Sequence, residues 1–178
     1  MLPTIETTCS FFCVALLLCF MPGPDNLFVL VQSAAQGRKA GLMVVLGLCT
    51  GLIGHTAAVA CGLAAVFAAS PTAFLVLQFA GAAYLVCLAW QAFRAPTAVA
   101  ENAPKTGRLP AFRLYLRGVV MNLTNPKVLL FFLAFLPQFV EPKRGHVPLQ
   151  IVWFGVVFVV ATLLSFGLIA QLAGYLGE

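Results

Sequence analysis

Two side chains stand where charge is expensive. The chain has 178 residues, 62% of them hydrophobic and only 8% charged, and Asp25 and Lys127 are the only acidic or Lys/Arg side chains inside its membrane-grade apolar runs. A charge at the centre of a bilayer costs about 3 kcal/mol or more, so such groups face a cavity or one another. One acid and one base suit two tasks: pairing together as a structural ion pair, or holding the two ends of a zwitterion. Each sits in a segment that cannot continue a helix, Pro22-Gly23-Pro24-Asp25-Asn26 in the first run and Asn122-Leu123-Thr124-Asn125-Pro126-Lys127 in a later one. Proline removes a backbone donor and its ring clashes with the preceding turn, so each run should split into two half-helices. At about 1.5 Å per residue, Pro24 lies roughly 20 Å from Gly37 and Pro126 roughly 12 Å from Gly118, which puts both breaks near mid-membrane. Irregular backbone at that depth is tolerated only where protein or a wet cavity satisfies it. A matched pair of proline-interrupted spans is also the sequence pointer to the binding site of an inverted-repeat transporter.

The elements that must position these residues are long apolar helices. A mean hydropathy of +1.02 excludes a soluble globule, a disordered chain and a nucleic-acid module. Runs of about 20 apolar residues qualify as spans, and at least four do: 40–69, 72–93, 118–140 and 148–175. A fifth starts at Ser10 and is interrupted. Its first part, 10–21, has the length of a signal core but lacks a basic leader, so it is kept as a mature span. The expected fold class is therefore all-α, a polytopic transmembrane helical bundle with two discontinuous helices in an inverted-repeat arrangement. It forms one membrane domain, with a first half of three spans over 1–93, a basic linker over 94–117 and a second half of two spans over 118–178. Three spans separate the starts of the two broken runs, so the halves enter the membrane from opposite sides. Seven bases fall on one side (Arg38, Lys39, Arg94, Lys105, Arg108, Arg113, Arg117) and two on the other (Lys143, Arg144). The base-rich side is the cytoplasm, which leaves the N-terminus outside and the 94–117 loop inside.

The stretch MPGPDNLFVLVQSAAQGRKAGLMVVLGLCTGLIGHTAAVACGL over 21–63 resembles the signature of the LysE/RhtB family of amino-acid exporters, and GVVMNLTNPKVLLFFLAFLPQFV over 118–140 is similar to that family's second hallmark. By position, Pro22, Gly23, Pro24 and Asn26 match the first motif, and Asn125, Pro126 and Lys127 the second. The resemblance implies a multi-pass protein of the bacterial inner membrane that expels amino acids, closer to the homoserine, threonine and leucine type. It also implies coupling to the proton gradient by antiport, a homodimer and no cofactor. The family has six spans in a three-plus-three arrangement and only five are expected here, so a truncated, non-transporting subunit of a membrane assembly stays open as an alternative. A thiol-disulfide electron carrier of the wider superfamily is the other. That alternative needs cysteines at the breaks, where Met21 and Gly23 stand instead, and the second half contains no Cys.

The expected substrate and translocation site is Pro22, Gly23, Pro24, Asp25, Asn26, Asn122, Asn125, Pro126 and Lys127. Half-helix N-termini near Asn26 and Lys127 would hold a carboxylate, and Asp25 an ammonium or a proton. Asp25 and mid-span His55 are candidates for a proton relay, with a hydrogen bond from His55 to nearby backbone as the alternative. Gly47 and Gly51 form a small-xxx-small pair that brings helices close, within the chain or at a dimer face. Cys9 and Cys13, four apart, are taken as small packing residues, since no second ligand pair completes a metal site. No nucleophile motif is present, so no enzymatic chemistry is expected. Arg108, Arg113 and Arg117 with Phe112 and Tyr115 are expected on the anionic inner leaflet and not on nucleic acid.

Overall fold

The computed structural model describes residues 2–69, 71–94 and 109–177. Most of the linker expected over 94–117 lies outside them. The first apolar run folds as two helices, α1 (Ile5–Phe20) and α2 (Pro24–Gln36), bent by 64° at the intervening residues. Thr4 caps the start of α1 by accepting from Thr7 N–H at 3.1 Å. Pro22 prevents continuation past Met21, and Pro24 at the first position of α2 starts the next helix where no donor is needed. Gly37, with φ of 85°, ends α2 in a conformation that costs a side chain dearly. The chain then turns at once into α3 (Arg38–Ala69), whose 32 residues make it about 48 Å long.

Helix α4 (Pro71–Arg94) closes the first half. The second half opens on α5 (Ala111–Leu123), breaks at Thr124 and Asn125, and resumes at Pro126 in α6 (Pro126–Leu130). The chain goes on through a π-helical turn (Phe131–Phe135) and a 3₁₀ turn (Leu136–Phe139), with a bend of 48° across the break. A short turn at Pro142–Arg144 leads to α7 (Val147–Leu176). The expected spans thus recur as helices with nearly the same ends. Helix α5 begins seven residues before the apolar run that announced it, which draws Arg113 and Arg117 onto a helix.

Helix α3 is the centre of the bundle, packed on α5, α7 and α2. Its seam with α5 is backbone against backbone. A Cβ on Gly47 would stand 2.1 Å from the Tyr115 carbonyl oxygen, and one on Gly118 would stand 2.4 Å from that of Val44. The small-residue spacing of Gly47 and Gly51 is therefore spent inside the chain, against α5. In the α3–α7 seam Gly155 packs on the Thr56 side chain and Gly174 on the Arg38 backbone, and Gly177, just past α7, lies against the Ala34 backbone of α2. Helix α1 packs differently. It joins α7 and the π-helical turn through aromatic rings, with Phe11 at 4.7 Å from Phe154 and 5.8 Å from Phe131, and through a 3.1 Å bond from Trp153 Nε1 to Thr8. Cys9 and Cys13 are exposed on α1 and are not packing residues, because the buried side of that helix is taken by Phe11, Ala15, Leu18 and Cys19. Tyr115 turns inward, donating to Thr50 Oγ1 at 3.0 Å, while Phe112 stays exposed.

Candidate functional site

Breaking a helix leaves carbonyls without donors and amides without acceptors, and the site is built from how these are satisfied. At the cut end of α1, Lys127 reaches across from the other half. Its Nζ donates to the carbonyls of Leu18 at 3.3 Å and Met21 at 3.2 Å. Asn26 Nδ2 donates to the Cys19 carbonyl at 2.7 Å. A cation at a helix C-terminus also meets the negative end of the helix dipole. Asp25 occupies the first turn of α2, where an acid is favoured, and its Oδ1 lies 3.5 Å from Lys127 Nζ. Both side chains are buried.

Gly23 is required by this contact. A Cβ there would stand 2.8 Å from Asp25 Oδ1 and 3.0 Å from Lys127 Nζ.

The second break is satisfied mostly from within. Asn125 caps α6, its Oδ1 accepting from Lys127 N–H at 3.0 Å. The donor that sequence reasoning left free for a substrate carboxylate is thus already engaged. At the cut end of α5, the Asn122 carbonyl accepts from Asn125 N–H at 3.1 Å and pairs with His55 Nε2 at 3.2 Å. The Asn122 side chain lies over Gly51, where a Cβ would stand 2.6 Å from its Oδ1. The prolines Pro22, Pro24 and Pro126 are exposed and act through the backbone.

Asp25, Lys127 and Asn122 share one cavity with Cys19, Thr162 and the ring of Phe158. It has about 10 Å³ of room, enough for a single water and no more. The wet chamber expected between the breaks is closed here, because Lys127 crosses it to reach Asp25 and the end of α1. Among the described residues, three buried polar atoms around the breaks lack a partner, Asn26 Oδ1, Asn122 Oδ1 and Asn125 Nδ2, while Asp25 Oδ1 has only the Lys127 ammonium. Each such atom costs about 1–3 kcal/mol, so their concentration in one place sets the two breaks apart from the rest of the bundle. His55 is buried against Phe132, the ring centroids 5.5 Å apart, and stands behind Asn122, outside the cavity lining.

Cys19 and Thr162 were missed from sequence. Their side chains meet at 3.6 Å on the cavity wall. A signal existed for the second: Thr162 and Ser165 are polar, one turn apart and on one face in the apolar middle of α7, and both are buried. Among the described residues no group of three His, Cys, Asp or Glu is placed to hold a metal.

Apolar helices assembled around two broken ones, with their cut ends meeting at a buried ion pair, define a polytopic membrane protein. The family model described as LysE type translocator matches residues 16–177, and the chain belongs to that family. It is 32% identical to an uncharacterized membrane protein of Vibrio cholerae, over 97% of this chain and 85% of that protein. It is 34% identical to the homoserine/homoserine lactone efflux protein of Salmonella typhimurium, over 79% of this chain and 68% of that protein. With the leucine efflux protein of Salmonella choleraesuis it shares 29% identity over 74% of this chain and 62% of that protein. No solved structure matches the chain.

Proposed function

We propose that the chain is a secondary transporter that exports neutral amino acids or close derivatives across the bacterial inner membrane, driven by proton entry. The observation that carries this is the buried Asp25–Lys127 pair at the meeting point of two broken helices. Parting a buried ion pair without replacement costs about 3–5 kcal/mol, so the empty carrier stays closed. A zwitterion supplies both replacements. Its ammonium would sit on Asp25 and the orphaned Oδ1 of Asn122, and its carboxylate on Lys127 with the orphaned Nδ2 of Asn125. The substrate's own two charges use up both partners, so a third charge on the solute would be left buried and unmatched. The relatives named for homoserine and for leucine fit that limit.

A proton is the other agent that can part the pair. Neutralising Asp25 frees it from Lys127, and alternation of proton and solute on Asp25 would link inward proton flow to export. The basic side of the bundle, with Arg38 and Lys39, would face the cytoplasm and the N-terminus the outside. Two copies would associate as a homodimer, as the family resemblance implies. In proteoliposomes, Asp25→Asn should abolish proton-driven efflux of a neutral amino acid while the protein still inserts. Undiminished efflux would remove Asp25 from the mechanism.

The closed cavity favours a second reading, in which the pair only holds the bundle together. Under it, Lys127→Ala would lose expression, Asp25→Ala in the same chain would restore it, and the restored protein would transport as well as wild type.

A further inference from the structure

The two breaks are braced by basic side chains from elsewhere in the bundle. At the first, Lys127 of the second half bonds to the end of α1. At the second, His55 of the first half meets the end of α5. We infer that His55 is a positioning residue for the transport site: it caps the cut end of α5, and by doing so holds the Asn122 side chain in the substrate cavity. The inference rests on the export reading above.

Three observations carry it. His55 Nε2 lies 3.2 Å from the Asn122 carbonyl, a group that only accepts, so Nε2 must carry the proton and the ring donates. The Asn122 side chain lines the cavity, and its buried Oδ1 has no hydrogen-bond partner among the described residues, so the position of that oxygen depends on where the end of α5 is pinned. Finally, the His55 ring stacks on Phe132 in the π-helical turn beyond the break. One side chain of α3 therefore touches both pieces of the second broken span and fixes their relation. His55 is absent from the cavity wall itself, which separates this role from contact with the solute or with a travelling proton.

Glutamine keeps an N–H donor at a similar reach, and leucine keeps bulk without one, so the pair of variants isolates the bond. In proteoliposomes, His55→Leu should raise the KM for the exported amino acid about tenfold, the effect of one lost hydrogen bond to a positioned group, with a much smaller change in maximal rate. His55→Gln should recover most of that loss and keep the wild-type pH profile. A His55→Gln protein that loses proton-driven efflux, or whose pH profile shifts, would overturn the inference and make His55 a proton carrier. A His55→Leu protein with wild-type KM would overturn it as well.

A second measurement does not depend on transport or on His55→Leu folding. In the His146→Asn chain, where His55 is the sole histidine, the ¹⁵N spectrum of the folded protein in nanodiscs should show a protonated Nε2 and a bare Nδ1. The reverse tautomer would remove the cap. If wild-type vesicles export no amino acid while Nε2 is protonated, it is the export reading that has failed.

Discussion

The two interrupted spans solve one problem in opposite ways. Both restart with a proline followed by a charged residue, Pro24-Asp25 and Pro126-Lys127, yet the first bends by 64° and the second by 48°. Asp25 suits its place at the positive end of a helix, and Lys127 does not. The second half-helix therefore exports its misplaced charge to the first break, where the carbonyls of α1 and the carboxylate of Asp25 receive it. The first break depends on a removable charge from across the bundle. The second is closed by hydrogen bonds, from its own Asn125 and from His55. The lesson is that the pieces of this bundle are held differently: one junction borrows a charge from across the bundle and the other is closed close to home.

That contrast can be broken most forcefully at Lys127. Lys127→Ala strips the donors from α1 and leaves Asp25 buried without a partner, so the folded protein in detergent should lose about 3–5 kcal/mol in thermal or denaturant unfolding. A loss no larger than that of a surface substitution would mean the first break does not need its borrowed charge. Gly118→Ala attacks the fixed side. Its Cβ would meet the Val44 carbonyl at 2.4 Å, and since backbone cannot step aside the expected loss is about 1–3 kcal/mol. Removal of the α6 cap by Asn125→Ala should cost about 1 kcal/mol, visible as a small drop in unfolding midpoint.

Gly23→Ala should cost least in stability, because the atoms its Cβ meets are the ends of two flexible side chains that can give way. Its effect should appear in efflux instead, with the displaced pair reading out as a raised KM. An unfolded Gly23→Ala protein beside a stable Gly118→Ala protein would invert the comparison.

Much of this was legible because charge is rare in membrane helices and clustered prolines beside a charge stand out against a uniform apolar background. The breaks at Pro22–Pro24 and Pro126, the pairing of Asp25 with Lys127 and the limits of α3 and α7 all follow from that contrast. The π-helical turn over Phe131–Phe135 was not legible. Its sequence is unbroken apolar, and its form comes from packing against α4, where Gly81 lies against Ala134, and among the rings of Phe11 and Phe158. Thr162 and Cys19 entered the site only through the docking of α7 on α1, a contact between residues 143 apart in sequence. The destination of Gly47 and Gly51, toward α5, was equally a matter of tertiary packing.

The glycine seams set a limit on movement. Wherever two backbones touch with no side chain between them, as at Gly47 and Gly118 or Gly174 and Arg38, sliding means immediate collision. Helices α2, α3, α5 and α7 are stitched together this way into a chassis. Helix α1 contains no glycine and meets α7 and the second broken span through aromatic rings, the Trp153–Thr8 bond and Lys127. Under the export reading proposed above, Pro22-Gly23-Pro24 at its foot would be the hinge of a door and Lys127 its latch.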